Sequence, residues 1–207
     1  MCGLAGIVGE VDLMEQVLLH MSAAQNHRGK ETPNSWVSSF IDARVGLMHN
    51  RMKTIDMAVA PKQPFEDNDT GLVVMLDGEI FNYEDVRRQL ENYYSFTTRG
   101  MCEVITKAYD RWGDGCFDRF EGYFSIVIYN RWSEELLLCR DRFGIKPLYY
   151  ATQRGNLFFA SEIKALFAGG IRSLLSAERW ASYLAYSTYG SPYETFWEGV
   201  HLSLIHI

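Results

Sequence analysis

The sequence predicts an α+β fold in which stacked β-sheets are covered by helices. Residues 12–25 carry apolar side chains at helical spacing, so one face of this segment is expected to point into a core. Between residues 123 and 160 the chain changes to short β-rich runs separated by turn residues. The remaining helix-like segments fall into two groups around the strand-rich regions. Such a plan favours layered sheets with helices on their outer faces.

The individual elements follow from local patterns. Strands are predicted at residues 3–9, 35–40, 44–49, 72–76, 123–130, 135–140, 148–152 and 157–160. Helices are predicted at residues 12–25, 83–92, 102–112, 162–167 and 177–186. Asn82 is a candidate N-cap for the second helix, and Gly113 is a candidate C-terminal stop for the third. The Asp77-Gly78 pair is a turn signal, so the strand at 72–76 is expected to end there, and a proline-containing loop is expected before it.

Composition and charge exclude several classes of protein. The 207 residues fit one large domain or two small ones. A net charge of −6 without a long basic run argues against a nucleic-acid surface. No stretch has the roughly 18 uncharged apolar residues of a membrane span, and acidic residues interrupt the N-terminal segment, which argues against a signal peptide. The four cysteines show neither metal-ligand nor disulfide spacing, so we expect no metal site and a reducing cytoplasm.

The second residue is the strongest candidate for chemistry. Methionine before a small residue is commonly removed, which would make Cys2 the mature N-terminus. Its thiol and its α-amine would then belong to one residue. An α-amine titrates at about 7.7–8.0, so it can accept the thiol proton and later protonate a leaving group. A Met-Cys-Gly start alone is also consistent with a small buried cysteine, so the rest of the sequence must decide.

Six further blocks follow this start in a fixed order. After MCGLAGIVG come His27-Arg28-Gly29, HNRMKTID at 49–56, DGEIFNYEDVRRQL at 77–90, CEVITKAYDRWG, FEGYFSIVIYN, and CRDRFGIKPLYY with FFASEIKAL at 139–150 and 158–166. Together they resemble the class II glutamine amidotransferases, which are N-terminal-nucleophile hydrolases. The last block is most similar to the asparagine synthetase branch. The resemblance runs from Met1 to about Leu202.

The resemblance implies a fold and an activity. The fold would be a four-layer α/β/β/α sandwich of two stacked antiparallel sheets flanked by helices. The domain would span residues 2–202, with 203–207 as an uninformative tail and the synthetase domain absent through truncation. The activity would be hydrolysis of the glutamine side-chain amide, with ammonia passing to that synthetase domain. ATP and magnesium belong to the synthetase domain in this family, so no cofactor is expected in this chain; its oligomeric state stays open.

The family's site residues can be carried over position by position. Cys2 would be the nucleophile, and Asp77 with Gly78 would lie at the oxyanion position. Arg51 would bind the α-carboxylate of glutamine, a role that suits a planar bidentate donor. The glutamine pocket would also include Met52, Lys53, Thr54, Ile55, Gly78 and Glu79.

The sequence departs from the family pattern in three places. The family has an asparagine at the Asp77 position, where its amide donates to the oxyanion; an ionised carboxylate cannot donate, and losing one such donor costs about 10²–10³ in rate. The family has an aspartate for the substrate α-ammonium where this chain has Met101, a loss of roughly 1.5–3 kcal/mol. Asp77 is a hypothetical substitute carboxylate for that ammonium. Lys30-Glu31 replace Pro-Asp after the His-Arg-Gly block.

Three alternatives to a glutaminase of the asparagine synthetase branch stay open. In the first alternative, which Asp77 and Met101 motivate, the chain is a catalytically weakened or inactive module kept for binding or structure. In the second, the chain belongs to another branch of the superfamily, such as those that make glucosamine phosphate or phosphoribosylamine. In the third, the chain hydrolyses the amide of a different substrate, since Met101 would make the head-group pocket more apolar.

Overall fold

A computed structural model of the chain describes residues 2–31, 33–38, 44–52, 62–187 and 194–203. The strands are β1 (Gly3–Val8), β2 (Asn34–Val37), β3 (Val45–Asn50), β4 (Phe65–Asp67), β5 (Leu72–Ile80), β6 (Gly122–Asn130), β7 (Glu135–Arg140), β8 (Tyr149–Gln153), β9 (Asn156–Ala160) and β10 (Val200–Leu202). The helices are α1 (Met14–Ala24), α2 (Tyr83–Leu90), α3 (Met101–Trp112), α4 (Ile163–Ala168) and α5 (Ala177–Tyr186). Across these residues, no helix is long and apolar enough to cross a membrane.

The strands form two antiparallel sheets. The first sheet has the order β10-β8-β9-β1-β3-β2, so β1 lies in its interior between β9 and β3. The second sheet has the order β4-β5-β6-β7, and β5 pairs with β6 along its whole length. The start of the chain therefore enters the middle of the first sheet.

Three apolar clusters hold the layers together. The cluster between the sheets takes side chains from both, among them Leu4 and Phe159 from the first and Met75 and Val127 from the second. A second cluster joins the outer face of the first sheet to α1 and α4. A third joins the outer face of the second sheet to α2 and α3. The layers follow the order helix, sheet, sheet, helix, which confirms the predicted four-layer sandwich.

Most predicted elements are present, but one prediction at the site is wrong. The strand that was expected to end at Asp77-Gly78 continues to Ile80, because Asp77 and Gly78 pair with Ser125 and Phe124 of β6. Asn82 lies at the N-cap of α2, but its side chain bonds Arg119 and Glu121 instead of the helix. Gly113 does end α3, with a φ of 55°. The edge strands β4 and β10 were not predicted.

Candidate active site

Cys2 is fixed through its backbone at the entry to β1. Its N–H donates to Oδ1 of Asp77 at 2.9 Å, and its carbonyl accepts from Nε of Arg28 at 2.8 Å. The residue that follows, Gly3, is already paired with Asn50 of β3. The position of the candidate nucleophile is thus set by two side chains that come from distant parts of the sequence.

Asp77 is a buried carboxylate with several cationic partners. Val73 and Met75 of β5 point between the sheets, and strand alternation places Asp77 on that same face, where it is 1% exposed. Its Oδ2 accepts from Nη2 of Arg28 at 2.7 Å, and its Oδ1 accepts from Nζ of Lys146 at 3.3 Å. A carboxylate buried to this degree is tolerated only when it is paired and hydrogen-bonded. Removing either cation would leave part of that charge uncompensated.

Arg28 joins the N-terminal residue to a second carboxylate. It is 6% exposed, and its three nitrogens bond the Cys2 carbonyl, Asp77 and, at 3.3 Å, Glu162. His27 contacts the same Glu162 oxygen at 2.7 Å. Burial alone would raise the pKa of Glu162, but hydrogen bonds from Lys164, His27 and Arg28 outweigh it and hold that pKa below its ordinary value.

The turn that contains Arg28 depends on Gly29. A Cβ on Gly29 would lie 2.6 Å from the carbonyl carbon and oxygen of Arg51. Only glycine lets the two backbones approach this closely. The His-Arg-Gly block thus sets Arg28 against Cys2 and at the same time brings its own backbone to Arg51.

Lys146 is held by a loop that Asp141 organises. The Asp141 carboxylate accepts N–H bonds from Phe124, Phe143, Ile145 and Lys146 itself. The carbonyl of Lys146 also accepts from Oγ of Ser125 at 3.1 Å, and Ser125 is the residue that pairs with Asp77 across the sheet. The Lys146 backbone is therefore tied to the strand position directly beside Asp77.

The Cys2 thiol has a raised pKa. Burial is the main cause, and the neighbouring Asp77 charge adds to it, while the backbone N–H of Met52 and the charge of Lys146 oppose it. A thiol in this state needs a proton acceptor before it can attack a carbonyl carbon. An α-amine on the same residue would supply that acceptor.

The residues predicted to bind glutamine fall into two groups, and the first follows β3. Arg51 follows β3, and its Nε lies 3.7 Å from Oε2 of Glu31. Met52 is 44% exposed, and its backbone faces the Cys2 thiol. Lys53, Thr54 and Ile55 lie outside the described residues.

The second group of predicted binding residues lies on β5 and at the start of α3. Gly78 has a φ of 137°, and a Cβ there would lie 2.0 Å from the Tyr123 carbonyl oxygen, so no other residue fits. Glu79 is exposed and accepts from the Tyr123 hydroxyl at 3.1 Å. Met101 is the first residue of α3, and its sulfur accepts from the Ile80 N–H at 3.5 Å. Cys2 thus meets both Asp77 and the Met52 backbone directly, while Glu79 lies further along β5 and Met101 contacts the end of β5 from α3.

Arg28, Lys146 and Glu162 lie in three of the sequence blocks that carry the family resemblance. None of the three was predicted to have a role at the site. One signal was present: Asp77 follows five apolar residues of a strand, which predicts burial, and a buried carboxylate requires cations. In the described ranges no group of three or more His, Cys, Asp or Glu residues could hold a metal ion.

Comparison with known proteins shows which proteins the chain is similar to. A family model described as a glutamine amidotransferase domain matches residues 1–204. The chain is 40% identical over 173 residues to asparagine synthetase [glutamine-hydrolyzing] 2 of Bacillus subtilis strain 168, covering 81% of this chain and 22% of that protein. It is 32% identical to amidase chry2 of Gibberella zeae, covering 84% of this chain and 25% of the other. The chain thus spans about a quarter of the length of these curated relatives.

A solved structure supports the fold. Glutamine phosphoribosylpyrophosphate amidotransferase from B. subtilis superposes with a TM-score of 0.66 at 21% identity, covering 82% of this chain and 44% of that one. At this identity the likeness concerns the fold alone. This likeness is consistent with the order helix, sheet, sheet, helix that the three apolar clusters show.

Proposed function

Because this chain belongs to the glutamine amidotransferase family, we propose that it hydrolyses the side-chain amide of glutamine with Cys2 as nucleophile. The observation that carries the proposal is the double anchoring of the Cys2 backbone by Asp77 and Arg28. This anchoring fixes the thiol and the amino group relative to the pocket formed after β3 and along β5. Positioning of this kind is a major source of rate enhancement.

The chemistry then proceeds in two steps after removal of Met1. The thiol proton moves to the α-amine as the sulfur attacks the amide carbon, and the carbonyl electrons move to the oxygen. When the carbon–nitrogen bond breaks, the α-ammonium protonates the leaving nitrogen and ammonia departs. Water then attacks the thioester, which frees glutamate and restores the thiol.

The glutamine head group would be held by Arg51 through its α-carboxylate and by the Gly78–Glu79 segment through its α-ammonium. The Arg51 guanidinium already lies near the Glu31 carboxylate. The substrate carboxylate would replace Glu31 as its partner or bind beside it. Glu79 is exposed on the same strand as Asp77 and can present its carboxylate to a cation.

The ammonia acceptor is a separate part of the proposal. The relative with 40% identity is named as a glutamine-hydrolysing asparagine synthetase, and this chain matches 22% of its length. We infer that the ammonia serves amide-bond formation by an ATP-dependent synthetase domain of that kind. The reaction of the present residues ends at ammonia and glutamate.

The direct test is ammonia release from glutamine by the chain and by Cys2→Ala. We expect release that depends on Cys2, and labelling of Cys2 by a diazo-ketone analogue of glutamine. Cys116→Ala is the matched control, because Cys116 is a fully buried thiol in the apolar cluster on the outer face of the second sheet. Glutamine binding without ammonia release or labelling would instead establish the inactive binding module. Intact mass must show that Met1 is removed, since an acylated Cys2 nitrogen cannot accept a proton.

A further inference from the structure

Asp77 creates a chemical problem at the oxyanion position. In relatives, as the resemblance implies, an asparagine amide at this position donates to the developing oxygen anion. The Asp77 carboxylate instead accepts all of its described contacts, from Cys2, Arg28 and Lys146. Its charge would also oppose negative charge forming nearby. A glutaminase with this residue needs another donor at that place.

Arg28 is already committed to other partners. Its Nε bonds the Cys2 carbonyl, its Nη2 bonds Asp77 and its Nη1 bonds Glu162. Two carboxylates therefore share its single positive charge. It fixes the N-terminal residue but brings little surplus charge to the reaction.

Lys146 differs from Arg28 both in how many of its N–H donors are used and in how many carboxylates share its charge. An ammonium group has three N–H donors, and its contact with Asp77 uses one of them. Among the residues that the structure describes, Asp77 is its one carboxylate partner. Its nitrogen lies against the same oxygen, Oδ1, that accepts from the Cys2 nitrogen, and 5.2 Å from the centre of the Tyr123 ring. It is 7% exposed, so little water screens its charge.

We propose that Lys146 is a catalytic residue whose ammonium donates to the oxyanion in place of the amide that Asp77 lacks. This inference rests on the proposed glutaminase function. As the Cys2 sulfur bonds to the amide carbon, the carbonyl electrons pass to the oxygen, and Lys146 stabilises that anion without transferring its proton. The Asp141 and Ser125 contacts to the Lys146 backbone hold the donor in place before the reaction.

The first test compares four proteins: the unchanged chain, Lys146→Met, Asp77→Asn and the double variant. Lys146→Met is expected to lower kcat by about 10²–10³, the usual cost of one oxyanion donor, with KM changed less than about threefold. In the Asp77→Asn background, where an amide is restored, the same substitution should cost less than about tenfold. Equal losses in the two backgrounds would overturn the role of Lys146. Lys62→Met, an exposed lysine outside the contacts described for the site, is the matched control and should retain activity.

A second measurement separates catalysis from charge balance, because Lys146→Met also leaves Asp77 with one cation fewer. The γ-semialdehyde of glutamate adds the Cys2 thiol to give a tetrahedral adduct whose oxygen mimics the anion. Lys146→Met should weaken its binding at least a hundredfold but weaken glutamate binding less than threefold. Parallel weakening of both ligands would show a purely structural lysine. If the unchanged chain neither releases ammonia nor binds the aldehyde more tightly than Cys2→Ala does, the proposed function fails and Lys146 loses its role with it.

Discussion

At the scale of single residues, Met101 occupies the position that the proposed function assigns to binding of the substrate amino group. It occupies the first turn of α3, and its sulfur accepts the Ile80 N–H. Thioether sulfur is a weak acceptor with no charge to offer an α-ammonium. Under the proposed function, Glu79 or water would have to bind that part of glutamine. This predicts weak glutamine binding even if the chemical step is intact.

Met101→Asp is expected to lower KM for glutamine roughly tenfold to a hundredfold, because a hydrogen bond to a charged group contributes about 1.5–3 kcal/mol. Steady-state ammonia release gives KM and kcat together. Met101→Asn is the matched control, since it has the same size and no charge and should recover little of the gain. An unchanged KM in the aspartate variant would mean that the substrate amino group does not lie against α3.

The residues of this site differ in how far sequence could predict them. Cys2 stands out because its position in the chain is itself the chemical signal. The pairing of Asp77 with Arg28 and Lys146 joins residues 49 and 69 positions apart, and no local pattern encodes such contacts. The amide-to-carboxylate change could be noted in the sequence, but its compensation by two cations could be found only in three dimensions.

At the scale of elements, pairing with a neighbour overrode local turn propensity. Asp77-Gly78 favours a turn when considered alone, yet β6 offers a partner along all of β5 and the strand continues. The positive φ of Gly78 is what remains of that local preference. The helices were predicted closely because their apolar spacing is a local signal, whereas β4 and β10, three residues each and at sheet edges, carry almost no pattern.

The start of α3 depends on one buried side chain, Glu103. Each of its carboxylate oxygens accepts from the backbone N–H and the hydroxyl of one threonine, Thr97 or Thr98. It is 2% exposed. Burial alone would raise its pKa, but these bonds hold the pKa below the ordinary value. The contacts fix the segment that leads into Met101.

Glu103→Gln should lower the free energy of unfolding by about 1.5–3 kcal/mol, because an amide has only one acceptor oxygen and its NH₂ group must face a donor. Urea unfolding followed by circular dichroism measures this. Glu91→Gln, on a half-exposed side chain paired with Arg87, should cost less than about 0.5 kcal/mol. Equal effects of the two substitutions would show that Glu103 does not organise the start of α3.

At the scale of the whole molecule, the space between the sheets is both the core and the back of the site. It contains apolar side chains from both sheets at one end and Asp77 and His49 at the other. The proposed chemistry would therefore take place at the edge of the layer on which the stability of the domain depends. This layering was predictable from the family resemblance, but the polar groups inside it were not.

His49 makes the stability of this layer depend on pH. It is 1% exposed, and burial lowers its pKa to about 4 from an ordinary 6.5, despite the opposing effect of Asp77. At pH values well above 6.5 the ring is neutral in both states and its titration contributes nothing. Between pH 6.5 and 4, His49 is protonated in the unfolded chain but stays neutral in the folded chain. The free energy of unfolding therefore falls as pH falls, by up to about 1.4 kcal/mol per pH unit.

His49→Gln is therefore expected to flatten the loss of stability between pH 6.5 and 5. This window lies above the range in which Glu103 and Glu162, whose pKa values are lowered, add their own acid sensitivity. Urea midpoints at pH 6.5, 6.0, 5.5 and 5.0 measure the slope for each protein. His20→Gln, on the exposed side of α1, should keep the original slope. A His49→Gln protein that loses stability as steeply as the unchanged chain would mean that the ring accepts its proton within the folded layer, with Asp77 as the nearest charge able to stabilise it.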